Sequence, residues 1–164
     1  MLNRWFKNLT TTPFALRRHF PPAKLARIDA AIAASEQSHR AEIRCAVEAS
    51  LSIGNLLNAV DSKVRAIEVF SMLRIWDTAE NNGVLLYMLL AEQKIEIVAD
   101  RGFASCVTNA EWVSICAELE QAFKAGDYEA GALAALERIS VLARQHFPAA
   151  DGDSNELPNR TVLL

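Results

Sequence analysis

The apolar positions along this chain shift between unbroken, alternating and helical spacing, and each shift predicts an element boundary. From Gly83 to Leu90 the residues read GVLLYMLL, a continuous apolar run. It is too short to span a bilayer, and it is bounded by turn-forming Asn81-Asn82-Gly83 and polar Glu92-Gln93-Lys94. The run predicts a strand buried on both faces. Lys94 to Asp100 alternates instead, with Ile95, Ile97 and Ala99 on one face and Lys94, Glu96 and Val98 on the other. That spacing predicts a second strand with one partly wet face. A connection this short joins only antiparallel strands, because a parallel return needs a crossover. The hairpin therefore sets Asp77, Thr78, Glu80, Asn81 and Asn82 beside Asp100, Arg101 and Gly102, at one rim of a sheet.

Around the hairpin the period is mostly helical. Leu25, Ile28, Ala31 and Ile32 predict a helix from Pro22 to about His39, with proline in its first turn. Glu42 to Glu48 alternates, placing Ile43, Cys45 and Val47 inward and Glu42, Arg44 and Glu48 outward in a predicted strand. Asp61 is the expected N-cap of a helix carrying Val64, Ile67, Phe70 and Leu73, ending near Trp76. A helix between two strands makes them parallel, so His39, Arg40 and Glu42 are expected at the same rim as Asn81 and Asp100. Asn109 is expected to cap a helix with a stripe of Trp112, Ile115, Cys116, Leu119 and Phe123. Gly126 stops it, and Asp127 starts a last helix that runs to Phe147-Pro148. The expected organisation is a basic arm over residues 1–21, one domain over 22–148 and a disordered polar tail over 149–164. The fold class is α/β: a three-layer α/β/α sandwich with a small mixed sheet, in the order helix, strand, helix, two strands, two helices.

The stretch WDTAENNGVLLYMLL, then KIEIVADRGF, then NAEWVSICAELEQAFKAGDYEAG resembles the TPM domain. That family is named for a thylakoid lumen protein, a photosystem assembly protein and a nematode receptor modulator. The resemblance covers roughly Pro22 to Pro148, and the NNGVLL turn and the FKAGDYEAG connection carry most of it. It implies a compact α/β/α sandwich, divalent-metal binding, and either acid-phosphatase activity or a protein-assembly or modulating role. Where many members read Asp-Asn-Gly before the buried strand, this chain reads Asn81-Asn82-Gly83. That departure removes a carboxylate.

Bulk properties narrow the classes. The 164 residues, 51% of them hydrophobic, suit one domain with its own core. A net charge of −3 argues against a nucleic-acid partner. Cys45, Cys106 and Cys116 are odd in number and lack paired metal-ligand spacing, which favours a reducing, cytoplasmic compartment over a disulfide framework or zinc site. No secretory signal is legible near the start, where Pro13, Arg17 and Arg18 interrupt the apolar residues. Arg4, Lys7, Arg17, Arg18, Lys24 and Arg27 all precede the first acidic residue and are interspersed with Trp5, Phe6, Phe14 and Phe20. Such a mixture fits peripheral contact with an anionic membrane at the inner face, or an arm folded back on the domain.

The candidate site is the rim: Asp77, Glu80, Asn81, Asn82, Asp100 and Arg101. Calcium or magnesium takes oxygen ligands such as Asp77, Glu80, Asn82 and Asp100 carry, and Arg101 would suit a phosphate. Metal-assisted phosphoester hydrolysis is then one chemistry open to the rim. The plainer reading is a strand-entry turn at Asn82-Gly83 and a solvated ion pair at Asp100-Arg101. Other phosphatase chemistries are excluded: no cysteine precedes an arginine by six residues, and Asp151-Gly152-Asp153-Ser154 mimics an aspartate-nucleophile motif but follows no strand. No nucleophile elbow, P-loop or dinucleotide fingerprint is present. His19, His39 and His146 stand singly, and only His39 is expected near the rim. Two function classes remain: a binding or assembly module for a membrane-associated protein partner, and a weak divalent-metal-dependent acid phosphatase.

Overall fold

Strand pairing fixes the frame on which everything else is placed. The computed structural model describes residues 2–150, 152 and 154–164. Ile43–Glu48 (β1) lies parallel to Val84–Leu89 (β2), with Ile43 opposite Val84. β2 turns back antiparallel into Lys94–Ala99 (β3), with Val84 opposite Ala99. Every residue of β1 and β2 is buried, as the apolar run requires of a central strand. Val162–Leu163 (β4) adds a short parallel strand outside β1, giving the order β3-β2-β1-β4.

Leu2–Thr10 (α1), Pro13–His19 (α2) and Pro22–Glu36 (α3) precede β1. Ile53–Leu57 (α4) and Ser62–Met72 (α5) lie between β1 and β2, while Asn109–Lys124 (α6) and Tyr128–His146 (α7) follow β3. α3, α6 and α7 cover one face of the sheet, where Ile28, Ile32, Phe123 and Ile139 meet Ile43, Val84 and Leu86. α4 and α5 cover the other, where Leu56, Val69 and Phe70 meet Ala46, Leu85 and Tyr87. The result is the expected three-layer sandwich. Start signals act as the sequence implies: Asp61 accepts from Val64 N at 2.8 Å, and Asp127 accepts from Ala130 N. The α6 cap is Thr108 rather than Asn109, because Thr108 and Glu111 form a reciprocal capping box one residue earlier. α5 ends at Met72, short of Trp76, since Arg74 turns into the left-handed region at φ 54°.

Three regions differ from the sequence expectation, and burial explains each. The outward residues of β1 are not solvated: Glu42, Arg44 and Glu48 are all buried, Glu48 beneath α5, Glu42 beneath the C-terminal segment, and Arg44 between that segment and α3. Glu48 is paired there by Arg65 and accepts from the Tyr87 hydroxyl at 2.6 Å. His39 is likewise buried rather than a surface histidine. The basic arm folds back on the domain, one of the two placements the sequence allows, and differs from the expected arm in forming two helices: Leu16 and Phe20 enter the core, Arg4 pairs with Glu92 at 2.7 Å, and Asn8 accepts from Leu51 N. The tail over 149–164, polar on average, contains Leu157, Val162 and Leu164, and these pack on the second core. Carboxylates from the domain hold its backbone: Glu42 accepts from Glu156 N and Leu157 N, and Asp29 from Thr161 N. Asp151 and Asp153 lie outside the described residues.

Candidate functional site

The rim is built by two corners that touch. At the first, Asn81 N donates to Thr78 O and Asn82 N to Thr78 Oγ1, closing a tight turn before β2. Asn81 takes φ 54°, a conformation that asparagine tolerates far better than a branched residue. At the second, Asp100 Oδ1 accepts from Arg101 N at 2.7 Å and opens a short 3-10 turn over Arg101–Phe103. The corners are joined by Gly102 N donating to Asn81 O at 2.8 Å and Asp100 N donating to Gly83 O at 2.9 Å. A Cβ on Gly102 would lie 2.5 Å from Asn81 O and 2.8 Å from Glu80 O. One on Gly83 would collide with Ile75 O. Both glycines are therefore required by close backbone approach.

β1 joins the same end. Asn82 Nδ2 donates to Arg40 O at 2.6 Å, and Arg40 pairs with Glu80. Arg40 Nε also donates to Pro148 O, tying the end of α7 to the rim. His39 sits alongside in a bridge with Pro148. The parallel pairing of β1 with β2 thus brings Arg40 and Glu42 to the end of the sheet that holds Asn82.

The candidate residues do not converge on one point. Arg40, Glu80 and Asn82 line a shallow cleft of about 170 Å³ together with Ser154 and Glu156. Asp100 and Arg101 line a different depression of about 310 Å³ beside Phe103, Thr108 and Trp112. Asp77 is exposed and held by Arg74 at 2.6 Å, with the Arg74 guanidinium also lying over the Trp76 ring. Glu156 was not foreseen, since its segment reads as tail. It accepts from Ala79 N at 3.0 Å and closes the rim from the C-terminal side.

Among the described residues, Asn82 Oδ1 and Asp100 Oδ2 are rim oxygens buried without a hydrogen-bond partner. A calcium ion takes six to eight oxygens and magnesium about six. With Asp77 and Glu80 each committed to an arginine, the side-chain donors left over fall short of that number. Among the described residues no three of His, Cys, Asp and Glu are grouped so as to hold a metal ion. The described rim residues do not by themselves supply the oxygen set of a tight divalent site. Cys45 and Cys116 are poor nucleophiles, since burial pushes the Cys45 thiol up to about 12 and the Cys116 thiol up to about 11.

No curated protein matches the chain. Among solved structures it is similar to the BA42 protein of the psychrophilic bacterium Bizionia argentinensis, at 26% identity and a TM-score of 0.74, covering 87% of this chain and 93% of that one. It is also similar in fold to the N-terminal domain of a P. gingivalis protein, at 16% identity and a TM-score of 0.62, covering 79% of this chain and 81% of that one. The N-terminal domain of the Corynebacterium glutamicum cg2496 protein is a third, at 16% identity and a TM-score of 0.53, covering 86% and 78%. The model of the TPM domain matches residues 18–142, most of the chain, and the chain belongs to the TPM domain family.

Proposed function

We propose that this chain is a binding or assembly module that docks a membrane-associated protein partner through the polar rim at the starts of β1 and β2. One observation carries the reading. Charges of the rim are paired locally, Arg40 with Glu80 and Arg74 with Asp77, and its surface is divided between an Arg40–Glu80 cleft of about 170 Å³ and an Asp100–Arg101 depression of about 310 Å³, below and at the lower edge of the usual small-molecule range. Small-molecule sites usually enclose about 300–1,000 Å³. A shallow surface of pre-positioned charges suits a protein contact, where complementary charge steers encounter and fixes register.

The N-terminal helices supply the membrane side of the proposal. Leu2, Phe6, Leu9 and Phe14 are exposed on α1 and α2, close in sequence to Lys7, Arg17 and Arg18. Apolar side chains beside basic ones suit the interface of an anionic bilayer. α1 contacts Leu51 and Glu92, which follow the far ends of β1 and β2, so the membrane contact and the rim occupy opposite ends of the sheet. Among the described residues no helix is long and apolar enough to cross a membrane. A cytoplasmic protein resting peripherally on the inner face would present its rim away from the lipid.

The test is capture from detergent-solubilised membranes by the intact protein and by Glu80→Gln/Asn82→Ala/Asp100→Asn. The expected result is a partner retained by the first and lost by the second; equal recovery overturns the rim reading. Sedimentation with anionic vesicles tests the other end: Phe6→Asp/Leu9→Ser should abolish partitioning, and unchanged partitioning removes the membrane contact.

The second reading is a weak divalent-metal-dependent acid phosphatase, for which each of the two rim depressions has one side-chain oxygen without a hydrogen-bond partner among the described residues, Asn82 Oδ1 in one and Asp100 Oδ2 in the other. Calcium or magnesium would be its cofactor. A calcium titration followed by amide shifts separates the two. Perturbation at Asn81, Asn82 and Asp100, with phosphoester hydrolysis lost in Asp100→Ala, would replace the binding module by the enzyme.

A further inference from the structure

Away from the rim, a cavity of about 630 Å³ lies at the β4 edge of the sheet, between α3 and the C-terminal segment. Leu25, Pro158 and Val162 contribute apolar wall, and Arg44, Asp29 and Arg160 bring charge to it. Arg44 is only 7% exposed, yet among the described residues it forms no ion pair, and its Nη1 is buried without a hydrogen-bond partner. The neighbouring carboxylates each turn one oxygen to another group, and neither forms an ion pair with Arg44 among the described residues, although Glu36 Oε2 is itself buried without a hydrogen-bond partner. Asp29 Oδ1 accepts from Thr161 N at 2.8 Å and Thr161 Oγ1 at 2.6 Å, and Glu36 Oε1 accepts from Ile43 N at 2.9 Å. They steady the guanidinium through space without contacting it, and burial lowers its pKa from the ordinary value. A buried cation lacking hydrogen-bonded compensation costs the fold free energy. A fold that retains such a charge in a cavity wall has a use for an anion there.

We infer that this cavity binds a small monoanion with an apolar body, a carboxylate on an aliphatic frame, its head paired by the Arg44 guanidinium and its tail lying against Leu25, Pro158 and Val162. The volume is in the usual range for small-molecule sites. The planar guanidinium suits a carboxylate, which it can engage through two parallel hydrogen bonds. Arg160 at the exposed mouth adds a second positive charge against the single carboxylate of Asp29 in the lining. This site is separate from the rim and does not depend on the docking proposal.

The experiment is isothermal titration of the full chain with octanoate, 1-octanol and octylammonium, repeated on Arg44→Met and Ala26→Trp. Met keeps the unbranched apolar stem of Arg44, and Ala26 is an exposed lining residue where tryptophan fills the cavity without entering the core. Octanoate is expected to bind the wild type roughly tenfold or more tightly than octanol, the worth of one charge-assisted contact, and octylammonium not at all. Arg44→Met should bring octanoate down to the octanol level, and Ala26→Trp should abolish binding of both. Ligand-free Arg44→Met should unfold at or above the wild-type temperature, since it removes an unpaired buried charge. The inference is overturned by equal binding of octanoate and octanol, by octanoate affinity that survives either substitution, by no binding of octanoate at millimolar concentration, or by an Arg44→Met chain that fails to fold.

Discussion

Replacing Gly102 with alanine tests the contact between the two rim corners. The added Cβ would sit 2.5 Å from Asn81 O, 2.8 Å from Glu80 O and 3.1 Å from Asn81 C, all backbone atoms that cannot rotate away. Relief requires the corners to separate, which strains the hydrogen bond from Gly102 N to Asn81 O and crowds the turn behind it. Overpacking of this kind costs about 1–3 kcal/mol, and a lost backbone hydrogen bond adds about 1 kcal/mol. The sum, about 2–4 kcal/mol, corresponds to a fall in Tm of roughly 5–15 °C for a chain of this length. Gly54→Ala is the control, because the nearest atom to its added Cβ is Ser52 Oγ at 3.7 Å and the position is helical. It should be neutral or stabilising by up to about 1 kcal/mol. Thermal unfolding followed by circular dichroism reads both variants. Gly102→Ala melting within a degree or so of wild type would refute the corner contact and the rim built on it.

The remaining expectations concern charge and backbone. Burial raises the Glu36 carboxyl to about 7, so the folded state holds a proton that the unfolded chain releases near pH 4.5. Wild-type stability should therefore fall, by about 1–2 kcal/mol after allowing for partial exposure, as pH rises from about 4.5 to about 7. Glu36→Gln removes that dependence while keeping the acceptor for Ile43 N, and parallel urea-midpoint curves for the two proteins across this range would contradict the assignment. Tyr87→Phe deletes the hydroxyl that donates to Glu48 Oε2, and urea unfolding should show a loss of about 1.5–3 kcal/mol, the range for hydrogen bonds to charged groups. No loss would mean that Arg65 alone satisfies Glu48. At φ 54°, Asn81→Gly should leave the melting temperature unchanged or raise it, whereas Asn81→Val should lower it; the opposite ranking would remove the left-handed turn from the account.

How much of this is legible from sequence depends on how local the cause is. The hairpin is read from an apolar run and an alternating one a few residues apart, because a short connection leaves a single way to pair them. The parallel partner follows from the intervening helix, and with it the approach of Arg40 to Asn82. What period cannot reveal is the cover over each face. Glu42, Arg44 and Glu48 alternate as solvated positions do, and only the packing of α3, α5 and the returning C-terminal segment buries them. That segment reads as polar tail because its anchors are few and spaced: Leu157, Val162 and Leu164, with backbone amides held by Asp29 and Glu42 from far away in sequence. The rim's residue types were legible, whereas their partition into two depressions depends on which arginine each carboxylate meets. The pairing of Glu80 with Arg40 across 40 residues has no local signal.

The proposed docking role makes the rim the face offered to a partner. Site-specific photo-crosslinking in intact cells tests it, with the reactive side chain at Ser154, beside the Arg40–Glu80 cleft, or at Arg138, which pairs with Glu118 on the exposed side of α6 and α7. A discrete protein adduct from position 154 that vanishes in the Glu80→Gln/Asn82→Ala/Asp100→Asn background, with none from position 138, is the expected result. An adduct from position 138 alone, or one from position 154 that persists in that background, would contradict it.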